Sequence, residues 1–288
     1  MSEGAGRYVD THVHFWDSSV IDYPWLAGGS PIAHPHLPAD LERARAGVSL
    51  ELAAIVFEEA DCLPAQALRE AQWVTELAQE ETRIRGIVAH APLQGGEDVR
   101  PHLQALAELP LVKGIRRLIQ DEPLGFCTQP AFVRGVQLLP EYGFSFDLCI
   151  YHPQMGDVLE LVAQCPDVTF LLDHIGKPGI AAGIMQPWKE QLRELASRSD
   201  IHCKLSGVTT EADHANWNRD ELRPYIEHVL DCFGPDRVIF GSDWPVVDLA
   251  ADYRTWFDIV QESISHFSVQ DQQKIMYDNG VRFYRLEV

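Results

Sequence analysis

Near one end of this chain, within the apolar run 8–16, stand an aspartate and two histidines in Asp10-Thr11-His12-Val13-His14. Side chains alternate along a strand with a period of two, so Asp10, His12 and His14 are predicted to share a face. Two imidazoles on one face can hold a metal ion, polarise a carbonyl or relay a proton. A histidine pair hydrogen-bonded inside an ordinary core is the competing reading. Two other stretches weigh against it: Phe170-Leu171-Leu172-Asp173-His174, a second strand-like run ending in histidine, and 238–244, which closes on Ser242-Asp243-Trp244. Brought together, these three strand ends would gather His12, His14, His174 and Asp243 around one point. Asp10 is placed as a carboxylate that orients a neighbouring ring.

Those residues are far apart in the chain, so the elements between them must return each strand end to one place. Strands are predicted at 8–16, 52–57, 84–89, 111–119, 144–151, 168–174, 201–206 and 238–241. Helical stretches fall at 39–47, 64–81, 98–108, 130–142, 154–165, 187–197 and 219–233. Short apolar strands alternating with amphipathic helices indicate a parallel sheet covered by helices, and about 250 residues of such units is the size of a closed (β/α)₈ TIM barrel. An open doubly wound sheet is the structural alternative, but no Gly-rich phosphate loop follows the first strand. The tail 268–288, with Ser268 and Asp271 spaced as an N-cap pair, reads as an extra C-terminal helix packed on the barrel. The connection 17–38 is too long and irregular for an ordinary turn and reads as a functional loop.

In such a barrel the strand C-termini converge on one rim. The polar residues predicted there are His12 and His14, Glu58 and Glu59, His90, Arg116 and Arg117, Tyr151 and His152, His174 and Lys177, Lys204 and Ser206, and Asp243. Charged groups at all eight strand ends are hard to reconcile with a purely structural role, because an unpaired buried charge is strongly unfavourable. Trp16, Trp25 and Trp244 fall on rim loops, where an aromatic face can stack on a sugar; Trp73, Trp188, Trp217 and Trp256 fall in or beside helices and read as packing.

Composition bounds the partners. A chain of 288 residues that is 46% hydrophobic buries one large core, and a single domain over 1–288 is expected. A net charge of −20, from 43 acidic against 23 basic side chains, disfavours nucleic acid and anionic membranes. Residues 1–7 are polar and Gly-rich with no apolar signal core behind them, so a cytoplasmic protein is expected. The six cysteines form no CxxC pair and read as reduced, buried thiols.

The motif set resembles the amidohydrolase superfamily, in which the first strand ends in His-x-His, the sixth in His and the eighth in Asp. Lys113-Gly114-Ile115-Arg116-Arg117, Leu172-Asp173-His174-Ile175-Gly176-Lys177-Pro178, Cys203-Lys204-Leu205-Ser206-Gly207, Phe240-Gly241-Ser242-Asp243-Trp244-Pro245 and Asn279-Gly280-Val281-Arg282-Phe283-Tyr284 are similar to its branch of sugar-acid lactonases. The resemblance implies a hydrolase that opens an aldonolactone such as L-fucono-, L-rhamnono- or galactonolactone. Asp243 is expected to activate water, with His174 orienting it and His12 and His14 polarising the carbonyl. Arg116 or Lys204 is expected to steady the oxyanion, and Glu58, His90, Tyr151, Trp25 and Trp244 to contact the sugar. Binuclear members bridge two metals with a modified lysine ending strand four and a histidine ending strand five; Arg116, Arg117 and Tyr151 stand there instead. One divalent metal, zinc, held by His12, His14, His174 and Asp243 with a position open to water, or none is therefore expected. The alternatives are a dicarboxylate lactonase or metal-dependent decarboxylase, which would want more rim arginines, and a non-catalytic sugar-binding barrel. The expected partner is a small lactone; a homo-oligomer is compatible with all of this.

Overall fold

The structure, a computed structural model, describes residues 6–198 and 200–288. The apolar runs fold as β1 (Arg7–Val13), β2 (Glu51–Glu58), β3 (Ile84–His90), β4 (Val112–Arg116), β5 (Ser145–Leu148), β6 (Phe170–Leu172), β7 (Ile201–Leu205) and β8 (Val238–Phe240). They pair in chain order and every pair is parallel. Parallel neighbours need a crossover, and each strand is followed by one: α1 (Pro38–Ala44), α2 (Ala67–Leu77), α3 (Arg100–Ala107), α4 (Pro130–Gln137), α5 (Met155–Gln164), α6 (Trp188–Ala196), α7 (Arg219–Phe233) and α8 (Tyr253–Ile264). The ring closes just past the end of β8. There the Asp243 N–H donates to the His12 carbonyl and the His14 N–H to the Trp244 carbonyl, both at 2.8 Å. The result is the (β/α)₈ barrel that the alternation of elements implies. Among the described residues no helix is long and apolar enough to cross a membrane.

Local sequence explains where elements start. Asn218 accepts from the N–H groups of Asp220 and Glu221 ahead of α7, and Asp252 from that of Thr255 ahead of α8, satisfying donors a helix start leaves unpaired. α8 lies outside the helical stretches predicted above, although its buried residues Tyr253, Trp256, Phe257, Val260 and Ile264 follow a helical spacing. Four strands stop two or more residues short of their predicted ends, at Val13, Arg116, Leu148 and Leu172. Beyond those points the chain turns over the rim, so the polar residues past them sit on loops.

The first strand departs from simple alternation. Val9, Asp10 and Val13 pair with Ala54, Ile55 and Phe57, so three steps on β1 oppose two on β2. Such a bulge re-aims the side chains that follow it. Asp10 therefore does not share a face with His12 and His14: its carboxylate accepts from the Tyr253 hydroxyl of α8 at 2.8 Å and from the Ser242 N–H at 2.8 Å. It pins the β1–β8 seam from outside. Burial raises its pKa to about 6, against those hydrogen bonds, which lower it.

The C-terminal tail is more than a helix laid on the surface. After α9 (Val269–Gln273), capped by Ser268, and a π-helical turn Lys274–Asp278, α10 (Asn279–Tyr284) joins the interior of the barrel. Phe283, Tyr284 and Leu286 form one buried cluster with Val9, Ala54, Val56, Val88, Leu171 and Ile239 from the strands. Gly280 lies so close to Thr11 that a Cβ would meet its methyl at 2.8 Å. The Tyr284 hydroxyl donates to the buried carboxylate of Asp147 on β5. Tyr284→Phe is expected to lower the unfolding free energy by about 1–3 kcal/mol, the cost of leaving a buried acceptor short of a donor; denaturant melts giving the wild-type midpoint would show that the plug is held by packing alone.

Candidate active site

A cavity of about 300 Å³ opens at the C-terminal mouth of the barrel, walled by His14, Arg116, His174 and Asp243 from the strand ends and by Trp25, Asp61, Gln120, Lys177 and Glu211 from the loops. Barrel closure sets its centre. Because the backbones of His12 to His14 and of Asp243 to Trp244 are bonded to each other, Asp243 Oδ1 lies 3.4 Å from His14 Nε2 and 3.6 Å from His12 Nε2. His14 Nδ1 is 2.8 Å from the Glu58 carbonyl, an acceptor, so Nδ1 carries the hydrogen and Nε2 presents a lone pair toward Asp243. His174 Nδ1 is 3.0 Å from Ser206 Oγ and 3.9 Å from Asp243 Oδ2. Burial, reinforced by nearby cations, pushes the pKa values of His12 and His174 well below the ordinary range. Both are neutral imidazoles at physiological pH.

The donor set can be tested against a metal. Zinc bonds of about 2.0–2.1 Å in a tetrahedron place neighbouring donors roughly 3.3–3.4 Å apart, close to the 3.4 and 3.6 Å found around Asp243 Oδ1. The His14 hydrogen bond to the Glu58 carbonyl is the outer contact that usually fixes a ligating ring. His12, His14 and Asp243 thus fit a single zinc ion. His174, expected as a fourth ligand, has Nδ1 3.0 Å from Ser206 Oγ and groups with His12 and Asp173.

A layer of buried charge lies beneath. Lys204 Nζ is 2.9 Å from Asp173 Oδ1 and 3.1 Å from both Glu58 Oε2 and Asp147 Oδ2. These three carboxylates are spaced as a metal site would be, and the ammonium fills it. Arg116 Nε is 2.8 Å from Glu59 Oε1 and 3.4 Å from Glu58 Oε1. Burial raises the acids, yet Arg116 overrides it at Glu59, and Lys204 with Arg116 at Asp173, and both are held below the usual carboxylate range. Glu58 is pushed well up by burial, with Asp173 and Asp147 adding to it. Of the carboxyls in this layer, Glu58 is the one this arrangement favours as the proton carrier.

Several expected contacts are redistributed by this geometry. Lys204 and Glu58 are completely buried; the lysine touches His12 Nδ1 at 3.1 Å and does not wall the cavity. Trp244 is buried against Phe15 and His36, and Trp16 is buried too, because their backbones close the barrel and tie down the 17–38 loop. His90 faces an adjoining hollow with Gln94 and Arg117. Tyr151 stands on the outer rim with its ring 5.3 Å from Lys177 Nζ. Trp25 does line the cavity, held by its Nε1–H to the Ala60 carbonyl at 2.7 Å.

Lys177, expected at the rim, lines the cavity together with Asp61, Gln120, Asp121, Thr210, Glu211 and His214, which were not singled out from sequence. They belong to loops, whose course periodicity does not reveal. One structural signal marks two of these loop residues, Asp61 and Lys177. Six described non-glycine residues have positive φ: Asp61, His174, Ile175, Lys177, Asp243 and Arg285. Four of those six line the cavity. Each such conformation costs about 1–3 kcal/mol and tends to persist where function needs it.

The chain matches the profile of the amidohydrolase family over residues 9–286. It is 33% identical, over 96% of each chain, to a protein named L-fucono-1,5-lactonase from Burkholderia multivorans. It is 27% identical to the L-rhamnono-gamma-lactonase of Scheffersomyces stipitis over 70% of this chain and 69% of that one. A crystal structure of an amidohydrolase from Burkholderia multivorans with bound zinc superimposes with a TM-score of 0.87 at 30% identity, covering 98% of this chain and 100% of that one. The His-x-His strand, the histidine after β6 and the aspartate after β8, assembled at one mouth of a parallel barrel, belong to a member of the amidohydrolase family.

Proposed function

We propose that the protein is a lactonase that hydrolyses a neutral sugar-acid lactone at this cavity. One observation carries the reading: a carboxylate, Asp243, held 3.4–3.6 Å from two imidazoles in a walled cavity at the C-terminal mouth. The names of the relatives, L-fucono-1,5-lactonase and L-rhamnono-gamma-lactonase, support it.

A lactone is an ester, so its hydrolysis needs an activated water, stabilisation of the carbonyl oxygen as it gains charge, and a proton for the departing ring oxygen. Asp243 takes a proton from water while the water oxygen bonds to the carbonyl carbon. His174, anchored through Ser206, orients that water. His12 and His14 flank Asp243 and hold it against the carbonyl. When the tetrahedral intermediate collapses, the carbonyl reforms, the ring C–O bond breaks and Asp243 returns its proton to the ring oxygen. Where zinc is bound, His12, His14 and Asp243 hold it, and it supplies Lewis-acid polarisation.

The charge of the walls favours a neutral substrate over a dicarboxylate. Asp61, Asp121, Glu211 and Asp243 face the cavity against only two cations, Arg116 and Lys177, and Arg116 is already paired with Glu59. An incoming carboxylate would meet net repulsion. A polyol, by contrast, finds carboxylates and an amide to accept from its hydroxyls and the Trp25 face to stack on.

A pH-indicator screen of aldonolactones tests the reading, and acid release on at least one of them is expected. Asp243→Asn is expected to lower turnover on that lactone by at least about a hundredfold; near-normal turnover would remove Asp243 as the base. Metal analysis of the purified protein is expected to find no more than one zinc per chain, abolished by His14→Ala, because Lys204 fills the other carboxylate cluster. A stoichiometry of two would contradict that account.

A further inference from the structure

The cavity has two cations on its walls, and their surroundings differ. Arg116 is committed: Nε to the Glu59 carboxylate, Nη2 to the Glu59 carbonyl, and Nη1 beside His12 Nε2 at 3.4 Å. Lys177 is not. Its Nζ donates to Gln120 Oε1 at 2.6 Å, while the nearest carboxylate oxygen, Glu211 Oε1, is 4.0 Å away, beyond hydrogen-bond reach. An ammonium carries three donors, so this one has hydrogens left for a ligand.

Its backbone is built for the position. His174, Ile175, Gly176 and Lys177 all have positive φ, a left-handed turn closed by the Lys177 N–H donating to the His174 carbonyl at 2.9 Å. One turn therefore presents His174 and Lys177 to the same cavity. Isoleucine and lysine do not adopt this conformation without cost. Burial lowers the pKa of Lys177, but Cys149, Glu211, Asp243 and Tyr151 outweigh it and the lysine stays protonated.

We propose that Lys177 is a catalytic residue, donating from Nζ to the carbonyl oxygen as it becomes the tetrahedral oxyanion, with Gln120 holding the ammonium in place. The inference rests on the lactonase reading. As water adds to the carbonyl carbon and its proton passes to Asp243, the carbonyl π pair moves onto oxygen in front of Lys177. The pair returns when the ring C–O bond breaks and Asp243 protonates the ring oxygen. Lys177 keeps its protons throughout.

Lys177→Met and Lys177→Arg test this on a lactone that the wild type opens. A cyclic phosphonate serves as anionic mimic of the intermediate and a lactam as neutral mimic of the substrate. Lys177→Met is expected to lower kcat about 100- to 1,000-fold with KM within about threefold, the scale of losing one oxyanion donor. Its affinity for the phosphonate falls by a similar factor and its affinity for the lactam does not; Lys177→Arg recovers at least about tenfold of the lost kcat. The ratio of the two affinities is read within one folded protein, so a stability defect does not mimic it. A kcat within about threefold of wild type, or equal losses for phosphonate and lactam, overturns the role of Lys177. A wild type inert toward every lactone overturns the lactonase reading itself.

Discussion

The seam where the barrel closes governs the rest of the molecule. Two backbone hydrogen bonds of 2.8 Å, from Asp243 to His12 and from His14 to Trp244, tie the last strand to the first. These bonds complete the sheet, and they also put the aspartate of one end of the chain against the two histidines of the other. Closing a sheet removes its unpaired edges, so the same hydrogen bonds serve stability and assemble the reacting groups. Asp10 reinforces the seam from the helix side, through Tyr253 and the Ser242 N–H.

Beneath the seam, the barrel interior holds charge that an apolar core would exclude. Lys204 and Arg116 are both almost completely buried, and taking such groups from water costs several kcal/mol each unless they are paired. Glu59 and Asp173 supply the pairing, and Glu58 and Asp147 complete the shell around Lys204. Replacing either cation by a neutral side chain would strand carboxylates with no access to solvent. The layer holds His12 between Lys204 below and Asp243 above, which fixes the ring and keeps it neutral. The C-terminal helix seals the layer from the other side through Tyr284.

The rim differs in kind. The left-handed backbone at Asp61, His174, Lys177 and Asp243 spends stability to aim side chains into the cavity, and the hydrophobic contacts of the barrel wall below supply the margin. Rigid strands deliver the ends; strained turns set the directions. Trp16 and Trp244 brace those turns from within, leaving Trp25 to face the cavity.

Much of this was legible in the chain. The alternation of apolar runs with amphipathic stretches determined the barrel, because parallel strands require crossovers and helices supply them. His12, His14, His174 and Asp243 were legible as a group because each follows an apolar run, and strand ends in a barrel share one mouth. Even α8 was readable in the spacing of its aromatic and aliphatic residues. Tertiary structure alone decided where Lys204, Glu58 and Trp244 point, since a strand-end residue can face the cavity, the layer beneath it or the seam. It also decided that the bulge in β1 turns Asp10 away from His12, and that loop residues such as Asp61, Gln120 and Glu211 complete the walls. Periodicity records which face of an element is buried; it carries no information about the course of a loop or the register of strands from opposite ends of the chain, and those two quantities set the distances on which the chemistry depends.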